Sequence, residues 1–261
     1  MRRILFFIIC IFFSIILIFV ICDGKKEELN TSPFALLRLV GATVESIAGI
    51  FIKTIPLSFI NEQEYALVIR NKFKKNDQSL EYLKANKVMK ILSKRKTKNI
   101  DYEVLITNDD NPNAYAVPGG LVIISRNLCK MMNEDEIAAI IGHEMGHIEL
   151  SHSIDNLKIK ITAEKIKIES LQDLAKKGSE LFVNATYSMA QENEADEYAW
   201  VILKTSGYDT KGLSSSLKKL KNEYSKLLIN KVNRTYFYSH PPIESRIEKF
   251  TERERINSKN P

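Results

Sequence analysis

The stretch from Glu136 to Leu150 places two histidines and a glutamate inside an otherwise apolar helical pattern, and it limits what the rest of the chain can be. Asn133 precedes an acidic turn, Glu134-Asp135-Glu136, which suits the positive end of a helix dipole. Ala138, Ala139, Ile140 and Ile141 then predict a buried helix running to about Leu150. His143 and His147 are i and i+4 on it, so their imidazoles share one face, one turn apart. Such a pair can bind one zinc ion, and Glu144 beside the first histidine can reach a water on that metal. A glutamate buried among apolar neighbours is costly without a metal or polar partners. The chain has 4 histidines, and two of them are spent here.

Zinc needs a third protein ligand, with a fourth position left for water. The metzincin arrangement puts a histidine six places beyond the second one, but that residue is Ser153. His152 is one place short; on a continued helix it points elsewhere, as a packing residue or a partner of a ligand. A glutamate on a later helix is the remaining option. Gln191-Glu192-Asn193-Glu194-Ala195-Asp196-Glu197 offers candidates. Glu192 and Asp196 are i and i+4, so one carboxylate can ligate while the other holds a ligand histidine by hydrogen bonding. Spacing alone leaves Glu192 and Glu194 in competition, beside the plain alternative of a solvated acidic face.

At the N-terminus, Arg2 and Arg3 precede an uncharged run from Ile4 to Cys22. As a helix it spans about 28 Å, close to the apolar thickness of a bilayer. Residues 1–22 therefore read as a signal peptide, a lipoprotein signal or a membrane anchor. Cys22 after Phe19-Val20-Ile21 is a lipidation candidate similar to a lipobox, although Ile21 stands where a small residue is usual. Residues 23–33 read as a linker and 34–261 as one domain, opening with an amphipathic helix over about 35–60. The pattern predicts helices over 77–97 (with Asp77 as N-cap), 133–150, 154–182, 187–205, 210–230 and from Pro241-Pro242 to about Arg255. It predicts strands over 102–107 and on both sides of Pro118-Gly119-Gly120. The fold class is α+β, helix-rich, with a small mixed or antiparallel sheet beside the His-Glu-x-x-His helix. The net charge of +6 is interleaved rather than striped, which excludes a nucleic-acid binder. Cys129, the one cysteine of the body, reads as a small buried apolar residue.

Four blocks resemble one family over about residues 65–250. They are Asn113-Ala114 with Pro118-Gly119-Gly120, Glu136 to His152, Glu192-Asn193-Glu194-Ala195-Asp196, and Ser239-His240-Pro241-Pro242 with Arg246-Ile247. The sequence resembles the zinc metallopeptidases that include HtpX, the CAAX prenyl proteases, the mitochondrial OMA-type proteases and the envelope proteases BepA and LoiP. The resemblance implies a zincin-like peptidase domain with one Zn2+ per chain, held by His143, His147 and Glu192 in preference to Glu194. It implies that Asp196 and Arg246 support this site and that His240 lies near the metal, stabilising the transition state or gating the open position. It also implies that an extended peptide pairs with the strand around Asn113, Ala114 and Tyr115, next to Gly119 and Gly120.

The activity this implies is peptide-bond hydrolysis, with Glu144 as general base toward a zinc-activated water. A single apolar run is closer to the exported members, which points to quality control of unfolded or misassembled envelope proteins on the periplasmic side of a bacterial membrane. The rival reading is a latent or non-catalytic chaperone on the same scaffold. Glu144 argues against it, because a binder needs no general base.

Overall fold

The computed structural model describes residues 62–71, 73, 77–163, 187–229, 240 and 243–259. The N-terminal apolar run with Cys10 and Cys22, the linker, the helix expected over 35–60, the far half of the 154–182 helix, Ser239 and Pro241-Pro242 lie outside the described residues. Among the described residues no helix is long and apolar enough to cross a membrane.

Eight helices and three strands are numbered here in chain order among the described residues. They are α1 (Glu62–Arg70), α2 (Leu80–Leu92), β1 (Glu103–Thr107), β2 (Ala114–Val117), β3 (Leu121–Ser125), α3 (Arg126–Met131), α4 (Glu134–Glu149), α5 (His152–Ala163), α6 (Met189–Ser206), α7 (Lys211–Ile229) and α8 (Ile243–Lys259). A helix-rich α+β domain with one small sheet results. The sheet is mixed, in the order β1-β3-β2. β3 runs parallel to β1 and antiparallel to β2. Leu121 to Ile124 on β3 are all buried, as a central strand covered on both faces requires.

The two helices that carry the polar motifs begin the same way. Asn133 accepts a hydrogen bond from the Glu136 N–H at 2.9 Å, and Glu136 accepts one from the Asn133 N–H at 2.8 Å. Ser188 and Gln191 repeat this reciprocal cap at the start of α6, at 3.3 and 3.0 Å. Each box satisfies donors that the first helical turn leaves without partners. Gly207, with φ +81°, ends α6.

α4 is the axis of the domain. Ile137, Ile141, Met145 and Ile148 pack into a core with Val88 and Leu92 of α2, Val104 and Ile124 of the sheet, Leu203, Leu217 and Phe250. Full burial of each such aliphatic side chain contributes about 1.5–3 kcal/mol. The seam between α4 and α6 is narrow because α4 presents glycines there. A Cβ on Gly146 would lie 3.0 Å from the Cα and the carbonyl oxygen of Ala195, and one on Gly142 would lie 3.2 Å from Ile202 Cγ2. The far end of α4 is held by Glu149. Its carboxylate accepts from the Lys98 N–H at 3.0 Å, the Tyr102 hydroxyl at 2.8 Å, and both the backbone N–H and hydroxyl of Thr97.

Three local details differ from expectation. The α2 cap is Ser79, which accepts from the Tyr82 N–H, while Asp77 accepts from the Ser79 N–H and pairs with Arg126. Because α2 begins at Leu80, Ser79 and not Asp77 precedes its first turn. A short helix, α3, follows β3 at once, with Ser125 accepting from the Leu128 N–H at 3.2 Å. α4 stops at Glu149 and Ser151 turns left-handed, with φ +67°, so His152 starts a new helix instead of extending the old one.

Gly146→Ala tests the seam. The added methyl meets backbone rather than a flexible side chain, so the expected loss is about 1–3 kcal/mol. Urea unfolding followed by circular dichroism reads it.

Candidate metal centre

The polar residues of α4, α6 and the approach to α8 converge at one buried point. α4 supplies His143, Glu144 and His147; α6 supplies Glu192 and Asp196; His240 and Arg246 come from before and within α8. All seven are 3% exposed or less. His143, His147, Glu192 and His240 each offer one ligand atom, and these atoms lie within 4.8 Å of one another. His143 Nε2 is 3.1 Å from His147 Nε2 and 3.3 Å from His240 Nδ1. Glu192 Oε1 is 3.2 Å from His147 Nε2 and 2.9 Å from His240 Nδ1.

The donor set fits zinc. A tetrahedral ion with bonds of about 2.0–2.1 Å separates its ligand atoms by roughly 3.3 Å. The ring nitrogens of His143, His147 and His240 stand close to that spacing. Electrostatics point the same way. Burial and Arg246 push the His143 pKa down, yet Glu192 and Asp196 outweigh them and raise it to about 9. The two carboxylates thus draw positive charge to this position. Glu144 adds a third sign: neither of its oxygens has a hydrogen-bond partner among the described residues, and His240 Nε2 stands 3.5 Å from Oε1. Burial raises the Glu144 pKa, against the pull of His240 and His143.

Arg246 holds the carboxylates in place. Its Nη1 is 2.6 Å from Glu192 Oε2, its Nη2 is 2.7 Å from Asp196 Oδ1, and its Nε donates to Asp196 Oδ2 at 2.9 Å. Burial pushes Glu192 up, but His240, Arg246 and His143 together keep its carboxyl well below the usual range. Asp196 is likewise lowered to about 2, with Arg246 opposing burial. Asp196 Oδ1 also meets His143 Nδ1 at 2.9 Å, which leaves His143 Nε2 to face the centre.

The surroundings of His147 were less legible. His152 Nδ1 is 3.1 Å from His147 Nδ1, because the break at Ser151 brings it back toward α4. Glu194, the other candidate ligand, is 2.9 Å from His152 Nε2 instead of joining the four-residue group. Tyr187 stacks on the His147 ring, with centroids 3.6 Å apart and planes at 17°. Nothing in the sequence singled out Tyr187; its place just before the Ser188 cap was the available signal. Cys129 is free and buried, with burial pushing its thiol pKa up to about 12.

The residues expected to meet a peptide lie on and beside β2. Ala114 and Tyr115 pair with Ile124 and Ile123, and the Asn113 N–H donates to Ser125 Oγ at 3.0 Å. β2 is an edge strand of the described sheet. Gly119 and Gly120 serve the β2–β3 turn, with φ +87° and +95°. A Cβ on them would lie 2.0 Å from the Glu62 carbonyl oxygen and 2.1 Å from that of Asp101, so their first duty is packing.

Fold and site together define a zincin-like metallopeptidase domain. The chain belongs to Peptidase family M48, whose profile matches residues 80–254. It is 33% identical to the metalloprotease YcaL of Escherichia coli over 164 residues, 59% of this chain and 62% of that protein. It is 31% identical to the metalloprotease LoiP of the same organism over 132 residues, 46% of this chain and 51% of that protein. It is 29% identical to the mitochondrial metalloendopeptidase OMA1 of Arabidopsis thaliana over 126 residues, 46% of this chain and 26% of that protein. The chain thus spans between a quarter and about three fifths of the length of these relatives.

Arg246→Met leaves Glu192 and Asp196 buried without their cation. The expected cost is about 3–5 kcal/mol, read by urea denaturation of metal-free protein at neutral pH.

Proposed function

We propose that this protein is a membrane-tethered zinc metalloendopeptidase that cuts unfolded or misassembled proteins of the bacterial envelope. The observation that carries the reading is the buried convergence of His143, His147, Glu192 and His240 beside the Glu144 carboxylate, which has no hydrogen bond among the described residues. His143, His147 and Glu192 would hold the ion, with His240 beside them. Zinc held there supplies Lewis acidity toward a carbonyl oxygen and acidifies water. Glu144, with a pKa raised by burial, takes the proton of the attacking water and hands it to the leaving amine. Asp196 and Arg246 keep His143 and Glu192 oriented through these steps. β2, an outer strand among the described residues, takes an extended peptide as an added strand beside Asn113, Ala114 and Tyr115, which fixes backbone and tolerates varied side chains. Such tolerance suits substrates recognised by being unfolded rather than by one sequence.

The membrane part of this reading is supported by sequence alone. Arg2, Arg3 and the run Ile4–Cys22 support a domain outside the cytoplasm, held by an uncleaved anchor or by a lipid on Cys22. His240 Nδ1 lies 3.3 Å from His143 Nε2 and 2.9 Å from Glu192 Oε1, close enough to the centre for His240 to donate toward the developing oxyanion.

Full-length protein in detergent, loaded with zinc, is expected to cleave unfolded casein, and removal of the metal by 1,10-phenanthroline to abolish this. Glu144→Gln is expected to keep zinc and lose about 10²–10⁴-fold in turnover. Equal cleavage by parent and variant would dismiss Glu144 as the base. His240→Ala is expected to retain zinc and lose about 10²–10³-fold in kcat; a rise in turnover would make His240 a latch and nothing more.

A further inference from the structure

We propose that His152 and Glu194 form a positioning arm that fixes the tautomer of His147 and so bares its Nε2 for the metal. The inference rests on His147 being a ligand, and it goes beyond that assignment by giving work to two residues outside the four-residue group.

The polarity of the arm follows from which atoms can donate. Glu194 Oε2 lies 2.9 Å from His152 Nε2, and an ionised carboxylate only accepts. His152 therefore carries its proton on Nε2. Its Nδ1 is left with a lone pair, 3.1 Å from His147 Nδ1. A contact between two ring nitrogens needs one proton, so His147 donates from Nδ1. Its Nε2 is then bare, and that atom faces His143 Nε2 at 3.1 Å and Glu192 Oε1 at 3.2 Å. The opposite polarity requires two protons on His152 and puts the His147 proton on Nε2, where it blocks ligation.

The geometry holds the arm in this role. His152 is 5% exposed, so its ring is shielded from bulk water, while the Glu194 side chain is 61% exposed. Tyr187 stacks on the His147 ring and limits rotation of its plane. His143 has an equivalent support in Asp196, at 2.9 Å from its Nδ1. Each ligand histidine thus has its own orienting partner, as zinc-binding imidazoles generally do.

The test measures zinc affinity of the full-length chain by competition with a chromogenic chelator, with circular dichroism to confirm folding. His152→Ala is expected to weaken binding by about 10–100-fold. His152→Asn places an accepting Oδ1 near the former Nδ1 and is expected to restore most of that loss. Glu194→Ala, on the surface, is expected to weaken binding less than His152→Ala does. In the zinc-loaded parent, nitrogen-15 spectra of the 4 histidines are expected to show His152 protonated at Nε2 and His147 at Nδ1. Unchanged affinity in folded His152→Ala overturns the proposal, as does equal loss in His152→Ala and His152→Asn, or a His152 proton on Nδ1. His147→Ala separates this from failure of the underlying reading. Tight zinc binding by that variant would remove His147 from the ligand set altogether.

Discussion

Two carboxylates, three imidazoles and a further glutamate share the interior between α4, α6 and α8, and the Arg246 fork makes that burial tolerable. Without it, Glu192 and Asp196 would sit one turn apart in a nearly water-free seam, each several kcal/mol worse off than in solvent. With it, both stay ionised, and Asp196 keeps an oxygen for His143 Nδ1 while Glu192 keeps one for the centre. The centre is therefore tied to α8, a helix more than forty residues beyond the last carboxylate. The exposed part of that helix adds a second clamp. Arg253 lies over the Trp200 ring and reaches Glu197, and Trp200 stacks on Phe250.

The seam between α4 and α6 sets the distance scale. Glycines at 142 and 146 let the α6 backbone come close enough for a carboxylate as short as aspartate to touch an imidazole on the neighbouring helix. Longer residues at these positions would hold the helices apart and leave Glu192 reaching for two histidines across a gap. Glu149 then anchors α4 at its far end, by taking four hydrogen bonds from residues 97–102.

Much of this was legible in the sequence because it is local. The i, i+4 pairs on α4 and α6, the Asn133 start and the Gly207 stop follow from helix period and capping alone. So does the hairpin around Pro118-Gly119-Gly120. The choice between Glu192 and Glu194 was not local, since it depends on which face α6 turns to α4. The structure gives both a place: one in the four-residue group, the other on His152. The direction of His152, expected as a packing residue or a partner of a ligand, was hidden for a different reason. A continued helix sends it away, and only the left-handed Ser151, whose hydroxyl accepts from Lys98 Nζ at 3.0 Å, returns it. Tyr187 had only its place before the Ser188 cap as a signal, and an aromatic ring there is usually packing. Asp77 is not the cap because α2 begins at Leu80, which puts Ser79 in that place.

The reciprocal caps at Asn133 and Ser188 carry a consequence for how such a chain can diverge. Each cap pins the first residue of its helix, and the helix then delivers its polar side chains at an angle counted from that start. One extra residue between Asn133 and His143 rotates both imidazoles by about 100°, off the seam and into the sheet or the α7 side. The same holds for the interval from Ser188 to Glu192. These two segments can vary at their exposed positions, while Gly142 and the capping Glu136 and Gln191 are constrained, and a change of length would turn the site residues away from the seam. Evolutionary freedom in length falls instead to the connections, such as the Asn108–Asn113 turn between β1 and β2, where an added residue shifts no phase.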